Sequence, residues 1–158
     1  MNQILIKEWY EKYKTGIYRY SLMILGNPHS AEDVLQETFI KALKTPIPPN
    51  DIDRVQAWLY KIARNCCYDL LRKEKKEEIS TKELRIAHSP SFAQNISEVE
   101  FMDMLANLKV IEIEIVSLHI VAGLTHKEIA KVMKLTTAST KKRYERAIHK
   151  LRKEFEEE

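Results

Sequence analysis

Glycine is nearly missing from this chain, with three residues in 158, while Lys, Glu, Leu, Ile and Ala are frequent. That balance argues for helix over sheet. With so few glycines there is no Gly-rich phosphate loop, and no nucleophile elbow or paired-carboxylate pattern is present either. Cysteine is limited to the adjacent Cys66 and Cys67. Neighbouring helical side chains point about 100° apart, so a vicinal disulfide there would be strained. No second Cys pair or nearby His makes a metal set. Cys66 reads as core and Cys67 as incidental, in a reducing compartment. His119, His126 and His149 do not fall with acids at ligand spacing. The expectation is therefore no enzyme, no cofactor and no metal. Long apolar runs are missing as well: none approaches the roughly 20 residues of a membrane span, and the first fourteen residues carry Glu8 and Glu11 rather than a signal-length apolar stretch. The expectation is a cytoplasmic protein that is not inserted into a membrane.

Charge is abundant, and its placement is more informative than its total. Charged residues make up 31% of the chain and the net charge is only +3. Residues 61–88 hold eight basic and five acidic side chains, 89–124 hold one and five, and 125–158 hold ten and six. Two basic blocks are thus separated by an acidic one. Two spaced basic surfaces suit a partner long enough to touch both, and nucleic acid is the obvious one.

The first basic block belongs to a helix predicted over residues 55–76. Val55, Trp58, Leu59, Ile62, Cys66 and Leu70 recur at three- and four-residue steps and form an apolar stripe. Lys61, Arg64, Asn65, Tyr68 and Arg72 recur the same way on the other side. Such a face can meet phosphates with its cations and unpaired bases with its ring; alone, it is also consistent with a solvated surface.

Before it, residues 3–25 read as one or two helices with an aromatic stripe (Trp9, Tyr10, Tyr13, Tyr18) that, with Trp58, is expected to be core; Gly16 is placed to loosen the middle. Gly26, Asn27 and Pro28 mark a turn. Ser30 reads as the N-cap of a helix to about residue 44, with Glu32 and Asp33 in its first turn. Three prolines at 46, 48 and 49 exclude helix there. After residue 76 the periodicity fades, and residues 77–97 read as a linker between an N-terminal module (1–76) and a C-terminal one (98–158). A short helix is expected over 98–108 and a strongly apolar one over 110–122, closed by Gly123. Its β-branched residues would also suit a strand. Burial is expected to account for this run.

Thr125 and Glu128 have the spacing of a capping box. A short helix to about residue 134, a turn at 135–137 and a long helix from 138 make a helix-turn-helix. Tyr144, Ile148, Leu151 and Phe155 fall on the expected core side of the long helix, and Lys141, Lys142, Arg143, Arg146, Lys150 and Arg152 on the outside. The first helix of such a motif braces on the backbone, and the second presents its N-terminal residues to base edges in the major groove.

At residues 30–44 (SAEDVLQETFIKALK) and 57–72 (AWLYKIARNCCYDLLR) the sequence resembles region 2 of the sigma-70 family, and at 123–152 (GLTHKEIAKVMKLTTASTKKRYERAIHKLR) it resembles region 4. The layout, with a short linker between them, is similar to the extracytoplasmic-function (ECF) group. The resemblance implies an all-α protein of two small helical domains joined by a flexible linker. It also implies an alternative sigma factor that binds core RNA polymerase and promoter DNA, with an anti-sigma factor as a further partner. By the same resemblance, Glu32, Asp33, Gln36 and Glu37 would dock on core polymerase, where acids on an exposed face suit a basic partner. Lys61, Arg64, Asn65, Tyr68 and Arg72 would hold the opened −10 element, and Ser139, Lys141, Lys142, Arg143 and Arg146 would read the −35 element as duplex. The other readings are an autonomous helix-turn-helix regulator, which has no need of both the AEDVLQETF and AWLYKIARN strings, and a helical adaptor that binds no DNA. The sequence departs from the family at Lys134 and Ala138, where Gly is usual, at Thr140 for Val and at Lys109 for Pro. Glu145 puts a carboxylate where DNA passes; it can accept from a cytosine amino group or repel phosphate.

Overall fold

A computed structural model of the chain describes residues 3–45, 52–77 and 106–156. Every regular element among them is helical. The linker expected at 77–97, the proline loop and residues 98–105 of the expected short helix lie outside the described residues, apart from Glu77 itself.

Helix α1 (Gln3–Leu25) is unbroken. Its apolar stripe buries Ile6, Trp9, Tyr13, Ile17 and Tyr20 at steps of three and four. Every residue from Ser21 to Leu25 is buried, so its last turn is covered on all sides. Gly16 does not loosen the helix. The Tyr60 hydroxyl occupies the space a Cβ there would need, so glycine is required by close packing.

The turn into α2 (Pro28–Lys44) differs from expectation. Gly26 takes a left-handed φ of 70°. Asn27, not Ser30, is the N-cap: its side chain accepts from the Ser30 N–H at 3.1 Å, and Pro28 opens the helix. The earlier start moves Glu32 and Asp33 out of the first turn. Asn outcompetes Ser because its amide oxygen reaches the N3 amide while Pro28 supplies the right φ at N1.

Helix α3 (Ile52–Glu77) buries a different set from its predicted stripe, of which Trp58, Ile62 and Leu70 are only half-buried. Val55, Leu59 and Cys66 are buried as expected, but Tyr60, Ala63 and Cys67 are too. Cys67, expected to be incidental, is fully buried, and its desolvated thiol is pushed up to about 12. The reason is that α3 is covered from two directions, by α1 and α2 and by the C-terminal half.

That half contains α4 (Val110–Val116), a π-helical turn (Ser117–Val121), α5 (His126–Met133) and α6 (Thr137–Glu156). The apolar run is helical, but it widens after Val116, where the Ala122 N–H bonds to the Ser117 carbonyl. Burial accounts for only part of it, because Ile120 and Val121 are exposed. Thr125 and Glu128 form the expected capping box, with reciprocal bonds of 3.1 and 3.0 Å. Lys134 ends α5 at φ 58°, ψ 45°, a left-handed conformation that costs a non-Gly residue roughly 1 kcal/mol. Thr136 then caps α6 by accepting from the Ser139 N–H at 3.0 Å. The inner side of α6 is centred on Thr140 and Ala147, both fully buried. The larger Tyr144, Ile148 and Leu151 are only half-buried at its flanks; Phe155 has no described side chain. One connected apolar cluster runs through both halves, with α5 against α3 and the π-helical turn against α1.

Candidate nucleic-acid interface

The five residues expected on the DNA face of α3 do not share one environment. Lys61, Asn65 and Arg72 are exposed, and Arg72 pairs with Asp69 one turn back. Arg64 and Tyr68 are turned to the seam between the halves. There Glu114 of α4, 1% exposed, accepts from Arg64 Nε at 2.8 Å, from the Tyr20 hydroxyl at 3.2 Å and from the Tyr68 hydroxyl. The Arg64 guanidinium also lies over the Tyr68 ring, 4.5 Å from its centroid. Burial opposes the charge on Arg64, but the bond to Glu114 and its charge prevail, so the Arg64 pKa is raised. Burial and the Glu114 carboxylate together push both Tyr20 and Tyr68 up, so both phenols are held as donors. Gln56 Nε2 adds a bond to the Ala122 carbonyl at 2.7 Å, and the Ser117 hydroxyl one to Met23 Sδ at 2.9 Å.

Glu114 was not singled out by the sequence pattern. A signal existed: in the IEIEIV run, two carboxylates interrupt residues that otherwise read as core, and a carboxylate is kept in such a place only with partners. Glu112, its neighbour on the same run, is buried by a different set, accepting from Lys150 Nζ at 2.8 Å and the Lys109 N–H at 2.9 Å. Burial pushes the Glu112 pKa up, but Lys150 and Lys109 together prevail and lower it. The Glu112–Lys150 pair ties α4 to α6 inside the C-terminal half.

On α2, Glu32, Asp33, Gln36 and Glu37 are all exposed, and the same helix leaves the apolar Ile40 and Leu43 exposed as well. On α6, Lys141, Lys142 and Arg146 are exposed, and Ser139 and Arg143 are half-buried. Arg143 Nε donates to Ser139 Oγ at 3.2 Å. Ala138, Ser139, Lys142, Arg143 and Arg146 line one shallow depression at the start of the helix. Four of the five expected −35 residues are therefore brought together on one surface, and Lys141 is not among the residues that line it.

The histidines are less scattered than their spacing suggested. The His119 and His126 rings stack at 4.5 Å and 13°, and both meet the Tyr144 ring. His119 Nδ1 lies 2.8 Å from the Leu124 carbonyl, which can only accept, so that nitrogen carries the proton. Desolvation, the stacked His119 and nearby Lys141 lower the pKa of His126. Among the described residues no three His, Cys, Asp or Glu side chains are grouped to hold a metal ion, and no helix is long and apolar enough to cross a membrane.

The sigma-70 region 2 family matches residues 9–77, and the sigma-70 region 4 family matches residues 104–153. Over 93% of its length the chain is 32% identical to the ECF RNA polymerase sigma factor SigM of Bacillus subtilis, 93% of which is covered. This chain belongs to the sigma-70 family, in its ECF group. The sigma factor is also 47% identical, over 40% of its own length and 34% of the relative's, to the ECF sigma factor SigW of the same organism. Its fold is similar to that of CnrH in complex with the cytosolic domain of CnrY, with a TM-score of 0.71 at 21% identity, covering 99% of this chain and 91% of that one. It is similar to the same degree, TM-score 0.71 and 21% identity, to the sigma factor RpoE bound to the anti-sigma factor NepR from Bartonella quintana, over 93% of this chain and 96% of that one.

Proposed function

We propose that this ECF sigma factor binds core RNA polymerase through the exposed face of α2, holds the opened −10 strand on α3 and reads the −35 duplex with the start of α6. In this reading it works in the cytoplasm, carries no catalytic activity of its own and divides into a region 2 domain (1–76), a linker (77–97) and a region 4 domain (98–158).

The observation that carries the reading is the presence of two separate cationic surfaces of different chemistry on one chain with both sigma-70 regions. The α3 surface exposes Lys61, Asn65 and Arg72, with Arg64 and the Tyr68 phenol beside them in the seam, and cations, an amide and a phenol ring suit strand DNA. The α6 surface offers Ser139, Lys142 and Arg143 at a helix start, which suits a major groove. On α2, the acidic group Glu32, Asp33, Gln36 and Glu37 lies on a helix that also exposes Ile40 and Leu43, and apolar contacts inside a charged rim suit a protein partner. One solved neighbour is a sigma factor in complex with an anti-sigma factor, and the other is CnrH in complex with the cytosolic domain of CnrY, which supports an anti-sigma partner here too.

The test adds purified protein to core RNA polymerase on a genomic library and maps transcript starts. Protein-dependent, discrete starts are expected. Tight, sequence-specific duplex binding by the free protein without transcription would instead make it an autonomous regulator.

A further inference from the structure

We propose that Glu114 is an internal competitor for the −10 strand. In the closed chain its carboxylate occupies Arg64 and Tyr68, so the C-terminal half must leave α3 before opened DNA can bind there. The proposal rests on the assignment of α3 to the opened strand made above.

A carboxylate presents two anionic oxygens to a guanidinium and a phenol in the way a backbone phosphate does. Glu114 takes Arg64 Nε at 2.8 Å and the Tyr68 hydroxyl, the cation and the ring that strand binding calls for. The Arg64 guanidinium also lies over the Tyr68 ring, on a face where a base would stack. Lys61, Asn65 and Arg72 of the same helix stay exposed. Closing therefore blocks one part of the surface and leaves another able to make first contact.

The seam is suited to opening. Beside the apolar contacts, it is pinned by an ion pair and by polar bonds from Gln56 and Ser117. The members of an ion pair regain water when they part, so the pair holds a geometry without making it permanent. Residues 78–105 join the halves, and at full stretch a chain of that length reaches roughly 90 Å, far more than separation requires. Removing the charge of Glu114 alone leaves Arg64 half-buried without its counter-ion, which weakens the closed form and not the open one. The apparent strand affinity is the intrinsic one reduced by the open fraction, so a variant that opens the chain tightens binding by the same factor.

The experiment measures fluorescence anisotropy of a short, labelled, random-sequence single-stranded DNA with the full-length chain. Glu114→Gln is the test and Glu112→Gln the control, since Glu112 pairs within the C-terminal half. Energy transfer between dyes on Lys7→Cys and Lys153→Cys, both exposed sites, reads the separation of the halves. We expect Glu114→Gln to keep the parent circular dichroism, bind the strand about tenfold more tightly and show lower transfer, while Glu112→Gln behaves as the parent. A folded Glu114→Gln chain with parental affinity and transfer overturns the proposal. Should that variant not fold, the parent decides: lower transfer in the complex with core polymerase and promoter supports the competitor, and unchanged transfer overturns it. If the parent directs initiation while these results fail, only the competitor is lost; if it directs no initiation, the functional reading fails.

Discussion

Arg64 and Glu114 stand 50 positions apart in sequence and meet at 2.8 Å, with side-chain exposures of 21% and 1%. The carboxylate is the buried, fixed member and the guanidinium the reachable one. A residue expected to touch DNA is therefore already engaged by an anion from the other half of the chain. Its neighbours Lys61 and Asn65 remain exposed.

This difference makes Lys61 the cleaner probe of the strand surface. Lys61→Ala removes only a strand contact, so promoter opening, followed by permanganate reactivity of unpaired thymines, should fall several-fold while polymerase affinity holds. Equal loss of both would remove Lys61 from the strand surface.

The face of α2 should behave in the opposite way. Glu32→Lys together with Asp33→Lys reverses the charge of exposed positions and should weaken association with core polymerase at least tenfold, measured by competition against another sigma factor, without lowering thermal stability. Unchanged association would put the docking surface elsewhere.

Gly16→Ala gives a test of packing with an unusual sign. In an exposed helix, Gly to Ala gains about 1 kcal/mol. Here the added methyl meets the Tyr60 hydroxyl, so the change should cost about 1–3 kcal/mol in guanidinium denaturation. Tyr60→Phe in the same chain should restore much of the loss, because it removes the blocking oxygen. An additive double variant would contradict the close approach.

The histidine stack gives a pH dependence. His126 has its pKa lowered from 6.5, so the folded chain takes up a proton there less readily than the unfolded chain. Its contribution to stability is present above pH 6.5 and is lost as pH falls through the folded value. His119 and Lys141 oppose its protonation, and Glu145 favours it. Melting at pH 7.5 and pH 5.5 should show a larger acid loss for the parent than for His126→Gln. Equal losses would remove His126 as a cause.

Much of this was legible from residue spacing. The described helices and the capping box at Thr125 follow from local chemistry, which short sequence windows contain, while the turn at Lys134 is flagged only by the family resemblance. The residues expected to face polymerase on α2 come out exposed, as do Lys141, Lys142 and Arg146 on α6, while Ser139 and Arg143 are half-buried. The errors have a common source in contacts between distant segments. Gly16 looked like a weak point because its reason, Tyr60, lies 44 positions away on α3. Cys67 looked incidental because the stripe on α3 was drawn for one covering layer and the fold supplies two. Arg64 and Tyr68 looked exposed because their partner is a carboxylate in an apolar run of the other half. The cap at Asn27 was a local miss, where Pro28 at the first helical position outranked Ser30.

The most direct measurement is initiation itself, with purified core RNA polymerase, this protein and a genomic library, and transcript starts mapped with and without the protein. Discrete starts that appear only with the protein, share spaced −35 and −10 sequences and fade with Lys61→Ala are predicted. Starts that are the same with and without the protein, while the protein alone binds duplex DNA specifically, would contradict the account.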